Sequence, residues 1–226
     1  MTSTGASEQH LPTIDDQLAG VTRAVERENQ DWTVILAQTL PAARATLWRA
    51  LTDPETLRLF FLPVTGQLHE GGAAVIDAMG VTAPILTCEP EQRIVLDWGG
   101  GSRLELRLAD ADGAEPSDAH APATRVTLRH TVRDDDHFAQ FGPAATGTGW
   151  DGALYGLALH VADPVTAHAE RMGEQFPFTE DGRRFTRAST EQFATAHIAA
   201  GGDPDDARAR AARTAAFYLG EAPSEA

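Results

Sequence analysis

His130 stands out first among the polar side chains of this 226-residue chain. It lies in the run Arg125-Val126-Thr127-Leu128-Arg129-His130-Thr131-Val132-Arg133, where Val126, Leu128 and Val132 alternate with polar residues. In a strand that alternation turns His130 toward the apolar face. A pocket imidazole could orient a ligand carbonyl or act as a general acid/base; it could equally be a structural histidine bonded to a backbone group. Asp134-Asp135-Asp136-His137 follows, three carboxylates beside a second imidazole. Consecutive residues do not converge on an ion without a dedicated bend, and the spacing of a known metal loop is missing. A solvated turn or helix cap is the expectation, with His137 at a pocket mouth. Trp48, Phe60, Phe61, Trp98 and Trp150 fall on elements that would surround a cavity, either as its walls or as plain core. Leu86, Leu106 and Leu154 complete the expected ligand-binding set.

Other motifs carry less chemistry. Gly99-Gly100-Gly101 precedes strand-like sequence rather than a helix start, so it reads as a hairpin turn and not a phosphate cradle. Cys88 shares the parity of Leu86 at a strand end and has no basic neighbour, so it is expected to be buried and inert. No Ser-His-Asp word, nucleophile elbow or paired-carboxylate motif is visible along the chain. No catalytic residue, metal or cofactor is therefore assigned.

Composition narrows the class further. The chain has 33 acidic and 18 basic side chains, a formal net charge of -15, and a hydrophobic fraction of 42 %, which is near the globular norm. Every basic residue is arginine, which removes Schiff-base and P-loop lysine chemistry. The acidic balance sets the chain against nucleic acid and anionic membranes. No run approaches the ~20 apolar residues of a membrane helix, and the polar start does not resemble a signal peptide. A single cysteine excludes an intrachain disulfide and a multi-cysteine metal site. The expectation is a soluble, cytoplasmic protein.

The elements that must position these residues divide by pattern into a leader (residues 1–30), a strand-rich core (31–161) and a helical extension (162–226), carrying -3, -8 and -4 charges. In the leader, Leu11, Ile14, Leu18, Val21 and Val25 recur at threes and fours, predicting a short amphipathic helix. The core opens with a strand from Trp32 to Leu40, then a helix over Ala42–Leu51 and a second one started by Asp53-Pro54-Glu55. Strands are expected at Thr65–His69, Ala73–Ala78, Ala83–Cys88, Glu91–Trp98, Ser102–Ala109 and Thr124–Arg133, joined by Gly- and Pro-bearing turns. Asp110 to Ala123 reads as a surface loop. A helix over Thr148–Val161 carries apolar residues on two sides, Trp150, Leu154, Leu157 and Val161 on one and Tyr155 with Leu159 on the other, so it must be covered twice. Asp163-Pro164, Ser189 with Gln192, and Asp203-Pro204 predict three helices in the extension. The face of Ala207, Ala211, Ala215 and Tyr218 is expected to pack against Tyr155 and Leu159.

The words Leu47-Trp48-Arg49-Ala50-Leu51-Thr52-Asp53-Pro54-Glu55-Thr56-Leu57, Leu86-Thr87-Cys88-Glu89-Pro90, Val95-Leu96-Asp97-Trp98, Arg125 to His130 and Gly149-Trp150-Asp151-Gly152-Ala153-Leu154 occur in this order. They resemble the activator of heat-shock-protein-90 ATPase homologue family of the START-like (SRPBCC, helix-grip) superfamily, over about residues 31–161. Asp136-His137, Phe141-Gly142-Pro143, Arg187-Ala188-Ser189 and Arg213 to Tyr218 resemble a bacterial subgroup with a C-terminal extension. The resemblance implies an α+β helix-grip fold, a curved antiparallel sheet around a long helix, with an apolar cavity between them. It further implies non-enzymatic binding of a small apolar or amphipathic molecule. The alternatives are a cyclase- or hydrolase-type enzyme using His130, or a co-chaperone-like module with a protein partner or a homodimer.

Overall fold

The computed structural model describes residues 11–111, 122–168, 173 and 175–221. Alternating apolar residues build a curved antiparallel sheet from β1 (Val21–Glu28), β2 (Asp31–Leu40), β3 (Thr65–Gly66), β4 (Ala73–Ile76), β5 (Val81–Glu89), β6 (Arg93–Gly99), β7 (Ser102–Asp110) and β8 (Thr124–Arg133). Their spatial order is β1-β2-β8-β7-β6-β5-β4-β3. The register opposes Val34 and Leu104 to His130, and Leu36 and Leu106 to Leu128, so one face is apolar across three strands. The three glycines after Trp98 all take positive φ in the β6–β7 hairpin, the turn role expected of them.

Seven α-helices accompany the sheet among the described residues: α1 (Ile14–Gly20), α2 (Arg44–Thr52), α3 (Pro54–Leu57), α4 (Asp136–Phe141), α5 (Pro143–Ala162), α6 (Glu180–Ala199) and α7 (Pro204–Tyr218). α5 is the gripped helix. Leu154, Leu157 and Ala158 join Leu36, Leu104, Val126 and Leu128 in the main core. On its other side Tyr155 and Leu159 pack with Ile14 of α1 and Phe185 of α6. The double coverage predicted from its two apolar sides is present.

The fold is α+β and helix-grip, as expected, with local differences. Val21 and Val25 belong to a strand, β1, opposite Gln38 and Val34 of β2. A spacing of four keeps two residues on one face in a strand as well as in a helix, so the leader's periodicity did not separate the two. Asp163 caps only a turn, accepting from Val165 N, Thr166 N and the Thr166 hydroxyl, and no helix follows it among the described residues. Ser189 lies inside α6, whose N-cap is Thr179. Among the described residues the extension thus has a short 3-10 turn (Phe176–Phe178) and two long helices, where three helices starting near Asp163, Ser189 and Asp203 were expected. The last helix starts at Asp203-Pro204 and is followed by Gly220 in the left-handed region, as expected. Ala207, Ala211 and Ala215 are buried, yet α7 does not cover Tyr155 and Leu159. It is instead tied to α4 and the start of α5: Arg210, Arg213, Thr214 and Tyr218 donate to the carbonyls of Phe138, Gln140, Phe141 and Ala145. The bonds to Gln140 and Phe141 satisfy carbonyls that α4 leaves open at its end. Residues 1–10 of the leader and 112–121 of the expected surface loop lie outside the described residues.

Candidate functional site

Three aromatic rings divide the space between α5 and the sheet. Phe61, after α3, Trp98 at the end of β6 and Trp150 on α5 line two chambers at once. Trp98 and Trp150 meet edge to face with centroids 5.2 Å apart, and Phe61 stacks on Trp150 at 6.1 Å. Beyond them, deep between sheet and helix, is an inner chamber of about 100 Å³ whose lining side chains are all hydrophobic. On the other side is an outer pocket of about 420 Å³, bounded also by Leu62, Met79, His130, His137, Phe141, Ala145, Thr146, Gly149, Thr214, Phe217 and Tyr218. A small-molecule site usually needs about 300 Å³ or more. The room is therefore in the outer pocket, whereas the resemblance put it in the centre. A third cavity of about 240 Å³ lies beyond Leu62, Gly149 and Tyr218, under Phe176 and Pro177.

His130 is 5 % exposed and its hydrogen bonds define its state. The Trp150 indole N–H donates to His130 Nδ1 over 2.8 Å, and an indole can only donate, so Nδ1 carries no proton. The Ser102 hydroxyl donates its one hydrogen to the Thr131 carbonyl at 2.6 Å. His130 Nε2, 2.7 Å from the same oxygen, must then be the donor. Every polar atom of this neutral chain is satisfied. Protonating Nδ1 would set two N–H groups against each other in a buried place, and burial lowers the pKa to about 4. The imidazole is thus poised to hold Trp150 rather than to exchange protons.

The other expected site residues distribute unevenly. Phe60, Phe61, Trp98, Leu106, Trp150 and Leu154 line the inner chamber, and Phe61, Trp98, His130, His137 and Trp150 the outer pocket. His137 is exposed at the rim, its ring 5.2 Å from Phe141. Trp48 is half-buried against the core and borders neither chamber. Leu86 is 45 % exposed and points away from the core. A bulge between Ile85 and Thr87 sets the register of β5, and it is Ala83 and Ile85 that face inward. Cys88, expected to be buried, is only half-buried. Burial and the neighbouring Glu70 carboxylate raise its pKa, which leaves the thiol unreactive. The aspartate run is a helix cap as expected: Asp135 accepts from Phe138 N, and Asp134 pairs with Arg27 at 3.4 Å. Among the described residues no group of three His, Cys, Asp or Glu could hold a metal.

Sequence reasoning missed the far wall of the pocket, Phe141, Phe217 and Tyr218. The signal was an aromatic pair ending the last helix, of which Phe217 is 70 % exposed. It also missed a second polar network. Asp151 is fully buried and takes two hydrogen bonds from Arg23, at 2.8 and 2.9 Å, one from Ser189 at 2.7 Å and one from Gln17 at 3.2 Å. The remaining Arg23 nitrogen reaches the carbonyls of Leu18 and Val21 and the Gln192 amide oxygen.

The profile of the family described as Activator of Hsp90 ATPase homolog 1-like protein matches residues 41–162. Among solved structures, the solution structure of CalU16 from Micromonospora echinospora is 25% identical, with 81% of this chain and 97% of that chain covered and a TM-score of 0.60. Its crystal structure is 24% identical over 75% and 98% of the two chains, with a TM-score of 0.53. A conserved protein of unknown function, EF2215 from Enterococcus faecalis, is 17% identical over 77% and 92%, with a TM-score of 0.56. No curated protein matches the sequence. No helix among the described residues is long and apolar enough to cross a membrane.

Proposed function

The chain belongs to the activator of Hsp90 ATPase homolog 1-like family, and on that premise we propose that it binds a small apolar or amphipathic molecule without transforming it, chiefly in the outer aromatic pocket. The observation that carries this reading is the pocket itself: about 420 Å³ walled by Phe61, Trp98, Trp150, Phe141, Phe217 and Tyr218. Aromatic walls with a few polar groups at the rim are what an apolar ligand with one polar end requires. The enzymatic alternative needs a free lone pair or a mobile proton on His130, and both nitrogens are engaged by Trp150 and Ser102. A protein-interaction reading draws on the rim, where Phe217 is 70 % and Met79 49 % exposed.

Two measurements separate these readings. Native mass spectrometry of gently purified protein should show a monomer carrying a small adduct; an adduct-free dimer would favour the protein-interaction reading. Titration with 2-naphthol, followed by tryptophan emission, should saturate because Trp98 and Trp150 line the pocket. Gly149→Leu adds a side chain at a helical position bordering the outer pocket, with its Cβ 3.2 Å from the Tyr218 hydroxyl that also lines it, and leucine is favoured over glycine there by helix propensity. It should weaken 2-naphthol by about tenfold or more. Unchanged affinity in this variant would remove the outer pocket from consideration.

A further inference from the structure

The two chambers differ in chemistry as much as in size. The outer pocket is bounded by flat rings, with the Tyr218 hydroxyl, two threonines and the His137 imidazole among them. The inner one is bounded by leucine, isoleucine, valine and alanine, with four aromatic residues, Phe60, Phe61, Trp98 and Trp150. Phe61, Trp98 and Trp150 are common to both, so the chambers adjoin and these rings are the partition. None of the three is fully buried. The Trp150 N–H bonds to His130, and the Phe61 and Trp98 rings pack against its indole. Native interiors are close-packed, so about 100 Å³ of unfilled space among these apolar side chains, adjoining the outer pocket at three shared rings, is unusual for plain core.

We infer that the chambers are two parts of one site, which takes a planar aromatic molecule bearing a short aliphatic branch. Resting on the reading of the outer pocket as a ligand site, this names the class of ligand. The ring system stacks among the aromatic walls, in offset or edge-to-face contact. The branch passes the Phe61–Trp98–Trp150 partition and ends among the leucines. At roughly 30 Å³ for each water-sized group, the inner space accepts about three or four carbons.

A homologous series tests this: 2-naphthol, 6-butyl-2-naphthol and 6-octyl-2-naphthol, titrated against the full chain by tryptophan emission. Burial of each methylene tightens binding by roughly three- to fourfold. The butyl compound should therefore bind at least about tenfold tighter than the parent, and the octyl compound no tighter than the butyl. Leu106→Phe and, as a gentler filling change, Ala74→Val should each lower the ratio of butyl-compound to parent affinity, with melting temperature recording that the variants fold. Equal affinity for parent and butyl compounds overturns the two-part site while leaving the outer pocket standing. A gain that continues undiminished to octyl overturns it too, because the chain would then be lying along an open surface. If none of the three compounds binds, the outer-pocket reading fails first and this one with it.

Discussion

Trp150 and Asp151 are consecutive on α5, about 100° apart around its axis, and each anchors a buried polar network of a different kind. Trp150 faces the sheet and holds a neutral chain through His130 and Ser102 to a backbone carbonyl. Asp151 faces α1, β1 and α6 and holds an ion pair with Arg23, both side chains at most 2 % exposed. The charged network's Arg23, Asp151, Gln17 and Ser189 line none of the three cavities described above, and each of its charges is surrounded by partners. That saturation offsets the heavy desolvation cost of two buried charges. The neutral network borders the outer pocket of about 420 Å³. An uncharged imidazole needs only two hydrogen bonds, so it can be buried beside a pocket without a counter-ion. One network clamps chain segments together; the other fixes the wall of a site.

The largest effect that would break this contrast is on the clamp. Arg23→Ala leaves Asp151 buried without its counter-charge, and removing one partner of a buried pair costs about 3–5 kcal/mol. Urea unfolding should record that loss. A change below about 1 kcal/mol would place the pair with ordinary surface bridges and remove its role as the clamp. The same clamp bears on the division into leader, core and extension, which we propose to be one folding unit: Arg23 lies in the leader, Asp151 in the core, Ser189 and Gln192 in the extension. None of this was legible in the sequence. Arg23 falls in the leader stretch whose periodicity predicts an amphipathic helix, and Asp151 reads as one more carboxylate in an acidic chain. Their meeting depends on a contact between residues 128 positions apart.

The next effect sharpens the neutral side. His130 has a folded-state pKa of about 4, below the unfolded value of about 6.5. The unfolded chain therefore takes up the proton first as pH falls. The stability tied to the neutral imidazole is fully present above pH 6.5, is lost as pH drops through the window to about 4, and amounts to about 3 kcal/mol. His160 and His197 are also shifted down, chiefly by burial, and act in the same direction. Nuclear magnetic resonance assigns the share of His130: its ring should remain neutral, protonated only on Nε2, at pH 5. A ring that titrates near 6.5 would mean that the Trp150 bond does not hold, and that the imidazole is free for acid/base work after all.

The sequence made most of the frame legible. Period-two alternation located β7 and β8, and local turn and cap chemistry located α3, the β6–β7 hairpin and α7. It failed where one pattern serves two structures, as with Val21 and Val25, and where a bulge shifts register unannounced, as at Leu86. His130 was correctly aimed inward because a pleat fixes direction. Its partners were not foreseen, since Ser102 and Trp150 come from other elements. The pocket was half visible for the same reason: rings on the sheet and on α5 could be assigned by periodicity, but the wall from α4 and α7 depends on how the extension docks.

The smallest effect separates the two sides of α5 by their glycines. Gly147 lies one turn before Asp151, on the clamp side, and a Cβ there would stand 2.3 Å from the Phe193 ring. Gly152 borders the third cavity, and a Cβ there would meet nothing within 4 Å. Neither residue has a positive φ, so alanine is conformationally acceptable at both. Glycine inside a helix costs about 0.5–1 kcal/mol relative to alanine. At Gly147 that cost is offset by close packing of α6, and Gly147→Ala should destabilise by about 1–3 kcal/mol through overpacking. At Gly152 nothing in the packing offsets it, so Gly152→Ala should stabilise by about 0.5–1 kcal/mol. Thermal melts of the two variants should therefore move in opposite directions from the parent. If Gly152→Ala also melts lower, its side of the helix is as tightly filled as the clamp side, and the division of α5 into a packed flank and an open one does not hold.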